Sequence, residues 1–300
     1  MSEIGYRTFL ELGFTDRQNG NFISFGEALI ELDVCSYSFI RNVDERGKIQ
    51  TNLRGGNISF VFSGLPSLVF WDWCTNSNKY YSGYIHIKDL NDEPKERIFF
   101  EDAACVNMKI SYINDGTSYV TVQGLLQSAL IQLQGTKALY NNWNNENIRN
   151  SSRIGTKDAK QALITPIVLN PDVSLNVRMI LGKSVYPLRG FEIEFNQEVD
   201  YKGEPQSNVS GGVASIALYS LPDEGLNRWL RNGEMQDGRF LFGDDLAGYL
   251  LTMDFKSACC LGYFVEIQNY SEDNITARLN IIPQSIDFGN GIRFKVPYQY

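Results

Sequence analysis

Residues 39–73 read FIRNVDERGKIQTNLRGGNISFVFSGLPSLVFWDW, and residues 195–229 read FNQEVDYKGEPQSNVSGGVASIALYSLPDEGLNRW. Laid over one another with a shift of 156 and no gap, the two stretches share 12 of 35 residues. The shared residues are Phe39 with Phe195, Val43 with Val199, Asp44 with Asp200, Gly47 with Gly203, Gln50 with Gln206 and Asn52 with Asn208. They continue with Gly55 and Gly56 on Gly211 and Gly212, Ser59 on Ser215, Leu65 and Pro66 on Leu221 and Pro222, and Trp73 on Trp229. One deletion later the shift is 155, and Gly83, Phe100, Ala103 and Cys105 fall on Gly238, Phe255, Ala258 and Cys260. Upstream, FLELGF from Phe9 and VRMILG from Val177 hold corresponding places. Solenoid repeats are about 20–45 residues long, so a far longer period seen twice makes each copy a domain.

Within one copy the pattern is that of short strands. Ala28–Val34, Asn57–Phe62, Tyr84–Ile87 and Tyr119–Val122 mix alternation with buried runs of Val, Ile, Phe and Tyr. One helix interrupts them, with Pro66 expected at its first position and Leu68, Val69, Trp71 and Trp73 as its apolar surface. Its copy runs from Leu221 and Pro222 to Trp229 and Leu230. The expected fold is mainly β: two tandem barrel or sandwich domains, each with one short side helix. Trp73 and Trp229 are expected in the helix core; the alternative for the tryptophans and the 16 tyrosines is a sugar-binding platform.

The domains are expected at 1–135 and 173–300, joined by a connection at 136–172 that turns Asn-rich at Tyr140–Asn145. Lys157–Leu163 could form a short helix there, and the apolar end Ile164–Leu169 suggests packing on a domain. The sequon at Asn150 is expected to be unused. In each domain a long polar loop, Arg41–Arg54 and Asn196–Ser210, separates two strands. Its retention twice argues for a contact role, and the plainer alternative is a mobile loop that needs glycine for its turns.

Composition excludes several classes. With 300 residues and 43% hydrophobic content the chain can bury a core in two domains. Lys and Arg total 27 against 35 Asp and Glu, a net charge of −8 that repels nucleic acid and anionic lipid. No apolar run reaches the roughly 18 residues of a membrane span, and Glu3 spoils a secretory leader, so a chain made in the cytoplasm is expected. Cys35, Cys74, Cys105, Cys259 and Cys260 have no C-x-x-C spacing and apolar neighbours, which suits buried thiols. His86 is the only histidine, and the repeat puts Leu241 in its place. The neighbouring carboxylates Glu101–Asp102 and Asp244–Asp245 would face opposite ways on a strand, as solvated or interface charges. The Gly-Gly pairs lack the Lys-Ser/Thr of a phosphate loop and suit a tight backbone path. No catalytic residue, cofactor or metal site is therefore expected.

Cys35-Ser36-Tyr37-Ser38-Phe39, Asp44, Gly47, Arg54-Gly55-Gly56-Asn57-Ile58, Trp73, Gly83 and Phe100-Glu101-Asp102-Ala103-Ala104-Cys105-Val106 together resemble the TssD tube proteins. These are the haemolysin-coregulated protein (Hcp) homologues of type VI secretion systems. The resemblance covers residues 5–135. The second copy keeps less: Arg189–Phe195 stands where CSYSF should, Ser210 replaces the arginine, and Phe255-Lys256-Ser257-Ala258 replaces FEDA. Family members are about half this length.

The resemblance implies hexameric rings stacked as the inner tube of a contractile injection machine. Six domains can come from three tandem chains, as a tube layer or as an adaptor between tube and spike. It implies that Arg41, Asp44, Gly47, Arg54, Gly55, Gly56, Gln197, Asp200, Gly203, Gly211 and Gly212 lie in subunit or ring contacts. Implied partners are other copies of the chain, single-domain Hcp-like tube proteins, a VgrG-like spike and secreted effectors, with export by the apparatus itself. The competing reading is a two-domain β binding module that carries effectors or recognises glycans.

Overall fold

Stretches rich in Val, Ile, Phe and Tyr that alternate buried and open residues form strands with one face on a core. The computed structural model describes residues 5–16, 18–26, 29–41, 44–50, 54–140, 175–244, 248–267 and 275–297. Ala28, Trp143, the sequon at Asn150, the helix expected over Lys157–Leu163, the run Ile164–Leu169 and Asp245 lie outside the described residues.

The first copy runs β1 (Tyr6–Thr15), β2 (Phe22–Ser24), β3 (Ile30–Leu32), β4 (Val34–Ile40), β5 (Arg54–Ser63), α1 (Leu68–Thr75), β6 (Tyr81–Asp89), β7 (Pro94–Asn114), β8 (Ser118–Leu133) and β9 (Thr136–Tyr140). The second runs β10 (Leu175–Leu181), β11 (Ser184–Asn196), β12 (Ser210–Leu218), α2 (Glu224–Asn232), β13 (Gln236–Asp244), β14 (Gly248–Ile267), β15 (Ile275–Ile282), β16 (Ser285–Asp287) and β17 (Arg293–Lys295).

Each copy closes on itself. β1 lies between β3 and β6, β6 pairs with β7, β7 with β8, β8 with β5, and β5 with β4, which continues β3 beyond Asp33. The second copy repeats the circuit as β11, β10, β13, β14, β15, β12 and back to β11. All the ladders are antiparallel, so each copy is a small barrel filled by its own side chains. The expected strand Ala28–Val34 is divided at Asp33, whose N–H donates to the Val61 carbonyl and whose carboxylate accepts from Ser63 Oγ at 2.8 Å. The division lets one run pair with β1 and then turn to β5.

The repeated residues explain themselves as packing. Gly83 pairs with Phe100 and Gly238 with Phe255. A Cβ would stand 2.5 Å from the Phe100 ring in the first case and 2.4 Å from the Phe255 ring in the second. Each glycine therefore makes room for a buried phenyl, whose burial contributes about 1.5–3 kcal/mol. A bulge follows at the same place in β7 and β14, where Asp102 and Ser257 take left-handed φ values of 50° and 47°. Asp102, expected as a solvated or interface charge, is buried at this bulge within the single chain, and its N–H donates to Ser82 Oγ.

Both helices start one residue after a capping residue, Ser67 or Asp223, so Pro66 and Pro222 precede the cap instead of opening the helix. At α2 the Asp223 carboxylate accepts from the Leu226 N–H at 2.8 Å, satisfying a first-turn donor that the expected proline start would leave open. Trp73 and Trp229 are buried, and their indole N–H groups donate to the carbonyls of Ala103 and Glu234. Strand β9 begins beyond residue 135, where the sequence reading ended the first domain. It pairs with β8 as β17 pairs with β16, placing Leu139 opposite Ile131 and Phe294 opposite Ile286.

Candidate functional site

Strand β7 is longer than its barrel needs. Its first half pairs with β6, and Asn107–Ile113 then leave β6 behind and pair with Asn196–Gly190 of β11 in the second copy. One continuous wall results, in the order β4, β5, β8, β7, β11, β12, β15, β14. Its outer side carries short polar side chains, among them Ser59, Thr121, Ser111, Ser215 and Asn280, which alternate with buried apolar ones.

The junction between β7 and β11 is reinforced from both sides. On the open side Lys109 pairs with Glu192 at 2.9 Å, and the Asn107 amide donates to Glu194 at 2.7 Å and also to Asn196. On the inner side Trp71 of α1 stacks on Phe288 with ring centres 4.2 Å apart and meets Phe195 edge-on at 6.1 Å. The Tyr112 hydroxyl donates to the Leu175 carbonyl at 3.0 Å. Trp71 stands where the repeat has Asn227, so the identities between the copies could not reveal it. The available signal was the reverse, a large aromatic residue on one helix facing a polar one on its copy.

The loop after β11 lies across the first domain. The Gln197 N–H donates to the Val106 carbonyl at 2.8 Å, its side-chain amide donates to the carbonyls of Ser207 and Ser77, and Ser77 reaches Asn208. Beneath the loop, Tyr80, Ala104, Val106 and Ala129 form a small separate apolar cluster. Burial pushes the Tyr80 hydroxyl up to about 12 and also raises the Glu204 carboxyl above the usual range. Gly203 approaches so closely that a Cβ would meet the Gln127 side chain at 2.2 Å.

Asp44 and Asp200 hold the tips of their loops. The Asp44 carboxylate accepts from the N–H groups of Arg46 and Lys48, and that of Asp200 from Lys202 and Glu204, with Gly47 and Gly203 in the left-handed region. At the loop exits Gly55 and Gly211 take φ of 112° and 109°, and a Cβ would strike the carbonyl of Ser38 or Glu194. Gly56 and Gly212 lie under Leu139 and Phe294. Arg54 opens β5 opposite Ile40. Arg41, the counterpart of the buried Gln197, is exposed.

The counterparts of the junction are unmatched. Among the described residues no strand pairs with β4 on the side away from β5, or with Leu261–Ile267 on the side away from β15. By the repeat, β4 corresponds to β11 and this end of β14 to the end of β7. Phe191, Ile193 and Phe195 are buried, but their counterparts Cys35 and Phe39 are half-buried and Tyr37 is exposed. Val106 and Tyr80 are 5% and 8% exposed, and their counterparts Leu261 and Met235 are 53% and 46% exposed.

Catalytic chemistry is sparse. His86 Nε2 lies 2.7 Å from Glu11 Oε2, and this bond holds the Glu11 carboxyl below its usual range. Burial pushes the Cys35 thiol up to about 11 and the Cys105 thiol up to about 12, away from a reactive thiolate. Among the described residues no cluster of three His, Cys, Asp or Glu could hold a metal ion, and no helix is long and apolar enough to cross a membrane.

The model of one family, described as "Hemolysin coregulated protein Hcp (TssD)", matches residues 5–144 and again 173–295. Among solved structures, Hcp1 from Flavobacterium johnsoniae is similar at 24% identity, covering 40% of this chain and 98% of its own, with a TM-score of 0.38. A structure titled "Crystal structure of Hcp protein" is similar at 9% identity, covering 37% and 89%, with a TM-score of 0.33. The six-fold symmetrised cryo-EM structure of the anti-feeding prophage (AFP) baseplate follows at 14% identity, covering 44% and 100%, with a TM-score of 0.28. No curated protein matches. With both barrels falling inside the matched stretches, the chain belongs to the Hcp (TssD) family and carries the family's domain twice.

Proposed function

We propose that three copies of this chain close into a ring of six tube domains, serving as a layer of the inner tube or as an adaptor between tube and spike of a type VI secretion apparatus. A structural tube component of a secretion or contractile system is what family membership supports. The observation that carries the finer reading is the wall itself: two barrels are already joined through β7 and β11, and the same two edges stand unmatched at its ends. Edges of opposite kind at the two ends make a head-to-tail contact, which closes when the rotation per chain divides the circle. The family resemblance implies six domains per ring, which at two domains per chain would take three chains. Such a ring would offer surfaces to single-domain Hcp-like tube proteins, a VgrG-like spike and secreted effectors.

The test is the absolute mass in solution over a range of concentrations, with particle images viewed down the symmetry axis. A species of three chain masses showing six lobes around a hole is expected. A chain that stays single at every concentration and binds a saccharide or an effector protein would overturn the ring in favour of a two-domain binding module.

A further inference from the structure

In such a ring, residues at equivalent positions decide whether the seams are alike. Each contact that fastens the two domains inside the chain has a counterpart position at the outer edges. The shift of 156 takes Glu192 and Glu194 to Ser36 and Ser38, and the shift of 155 takes Asn107 and Lys109 to Gly262 and Phe264. The ion pair and the amide bond of the internal seam therefore have no equivalent outside. Trp71 becomes Asn227, and its partners Phe195 and Phe288 become Phe39 and Leu133, so the aromatic stack is also missing. What remains is backbone and apolar surface. Tyr263, Phe264 and Ile267 are exposed along one edge, and Val34, Tyr37 and Ile40 along the other. Exposed apolar strand edges of this kind favour pairing with another chain.

We infer that the Gly262–Ile267 edge of one copy pairs antiparallel with the Cys35–Ile40 edge of a second copy, Ser38 opposite Phe264, forming a seam weaker than the internal one. The register is that of the internal seam, in which Glu194 lies opposite Lys109. The loop after β4 then crosses the next copy as the loop after β11 crosses the first domain. Its cover falls on Met235, Cys259 and Leu261, the counterparts of Tyr80, Ala104 and Val106. A ring built this way separates into whole chains and re-forms, because its weak points are all between chains. The inference rests on the ring reading and adds the partner edge, the register and the order of strengths.

The test places cysteines at Ser38→Cys and Phe264→Cys in the full chain and oxidises the protein under conditions that permit assembly. Each single variant is a background control, and Val34→Cys with Phe264→Cys is the register control, since four residues along a strand are about 13 Å. Directly opposite residues have Cβ atoms about 4.5–5.5 Å apart, close enough for a disulfide after small adjustment. Covalent two- and three-chain species from the Ser38 pair, absent from the Val34 pair, are the expected result. A ring of three chain masses that cross-links only through the Val34 pair overturns the register and leaves the ring reading standing. A single chain mass before oxidation and no cross-link from either pair would remove both. Dilution of the unmodified ring reads the order of strengths: release of single chains with the Lys109–Glu192 pair still formed and Trp71 still buried supports it, and domain separation before chain release overturns it.

Discussion

Helices α1 and α2 occupy the same position in the repeat, yet they meet different surroundings. α1 buries Val69, Phe70, Trp71, Trp73 and Cys74, whereas α2 buries only Leu226 and Trp229. The residue they share, Trp73 or Trp229, faces its own barrel. The residue in which they differ most, Trp71 or Asn227, faces a neighbouring domain in the first case and lies half-buried in the second. Positions kept in both copies thus mark what a single domain needs in order to fold. Positions that diverge mark where the two domains have different neighbours.

The largest expected effect breaks this comparison at the helix. Trp71→Ala should lower stability by about 3–5 kcal/mol, since it empties a packed stack between domains. Asn227→Ala should cost about 0.5–1.5 kcal/mol, the worth of its side-chain bond to the Pro222 carbonyl. Denaturant unfolding of both variants measures the contrast, and equal midpoint shifts would contradict it. A smaller contrast lies in the loop tips. Gly47 and Gly203 have φ of 77° and 82°, so alanine should cost each about 1–2 kcal/mol. Only Gly203 also meets Gln127, so Gly203→Ala should be the worse of the two in the isolated chain. Equal losses in thermal unfolding would mean that the loop after β11 does not depend on that close approach.

The smallest effect concerns pH. Burial raises the Glu204 carboxyl above its usual range, with Asp200 adding to the shift. The docked loop therefore favours the protonated acid: its contribution is full below the ordinary carboxylate range and is lost as the pH rises through the raised value. Glu204→Gln should flatten this dependence, as proteolysis of the loop at a series of pH values would show. A loop whose susceptibility follows the same pH curve in both proteins would contradict it.

Much of the fold was legible because the repeat filters out chance. Gly83 with Phe100, and Gly238 with Phe255, recur as pairs because a phenyl needs the space beside a glycine in each barrel. Gly55 and Gly211 recur because a Cβ there would strike a carbonyl, which is the tight path expected of them. The division of the first strand at Asp33 was hidden, since the break depends on which neighbour each half pairs with. The start of the helices was misplaced by the proline, because the residue after it, Ser67 or Asp223, is still extended and the helix begins one position later. The junction itself was out of reach of the identities. Trp71, Phe288, Lys109 and Glu192 each differ from their counterparts in the other copy, Asn227, Leu133, Phe264 and Ser36, so identities between the copies pass over them.

One complete seam inside the chain and two matching edges left open should exchange their amide hydrogens differently at two concentrations, below and above assembly. Peptides spanning Asn107–Ile113 and Gly190–Asn196 should be protected at both. Peptides from Val34–Ile40 and Leu261–Ile267 should exchange faster in the dilute chain and gain protection only on assembly. Edges as protected as the junction at the lowest concentration, or a junction that exchanges as fast as the edges, would contradict the account.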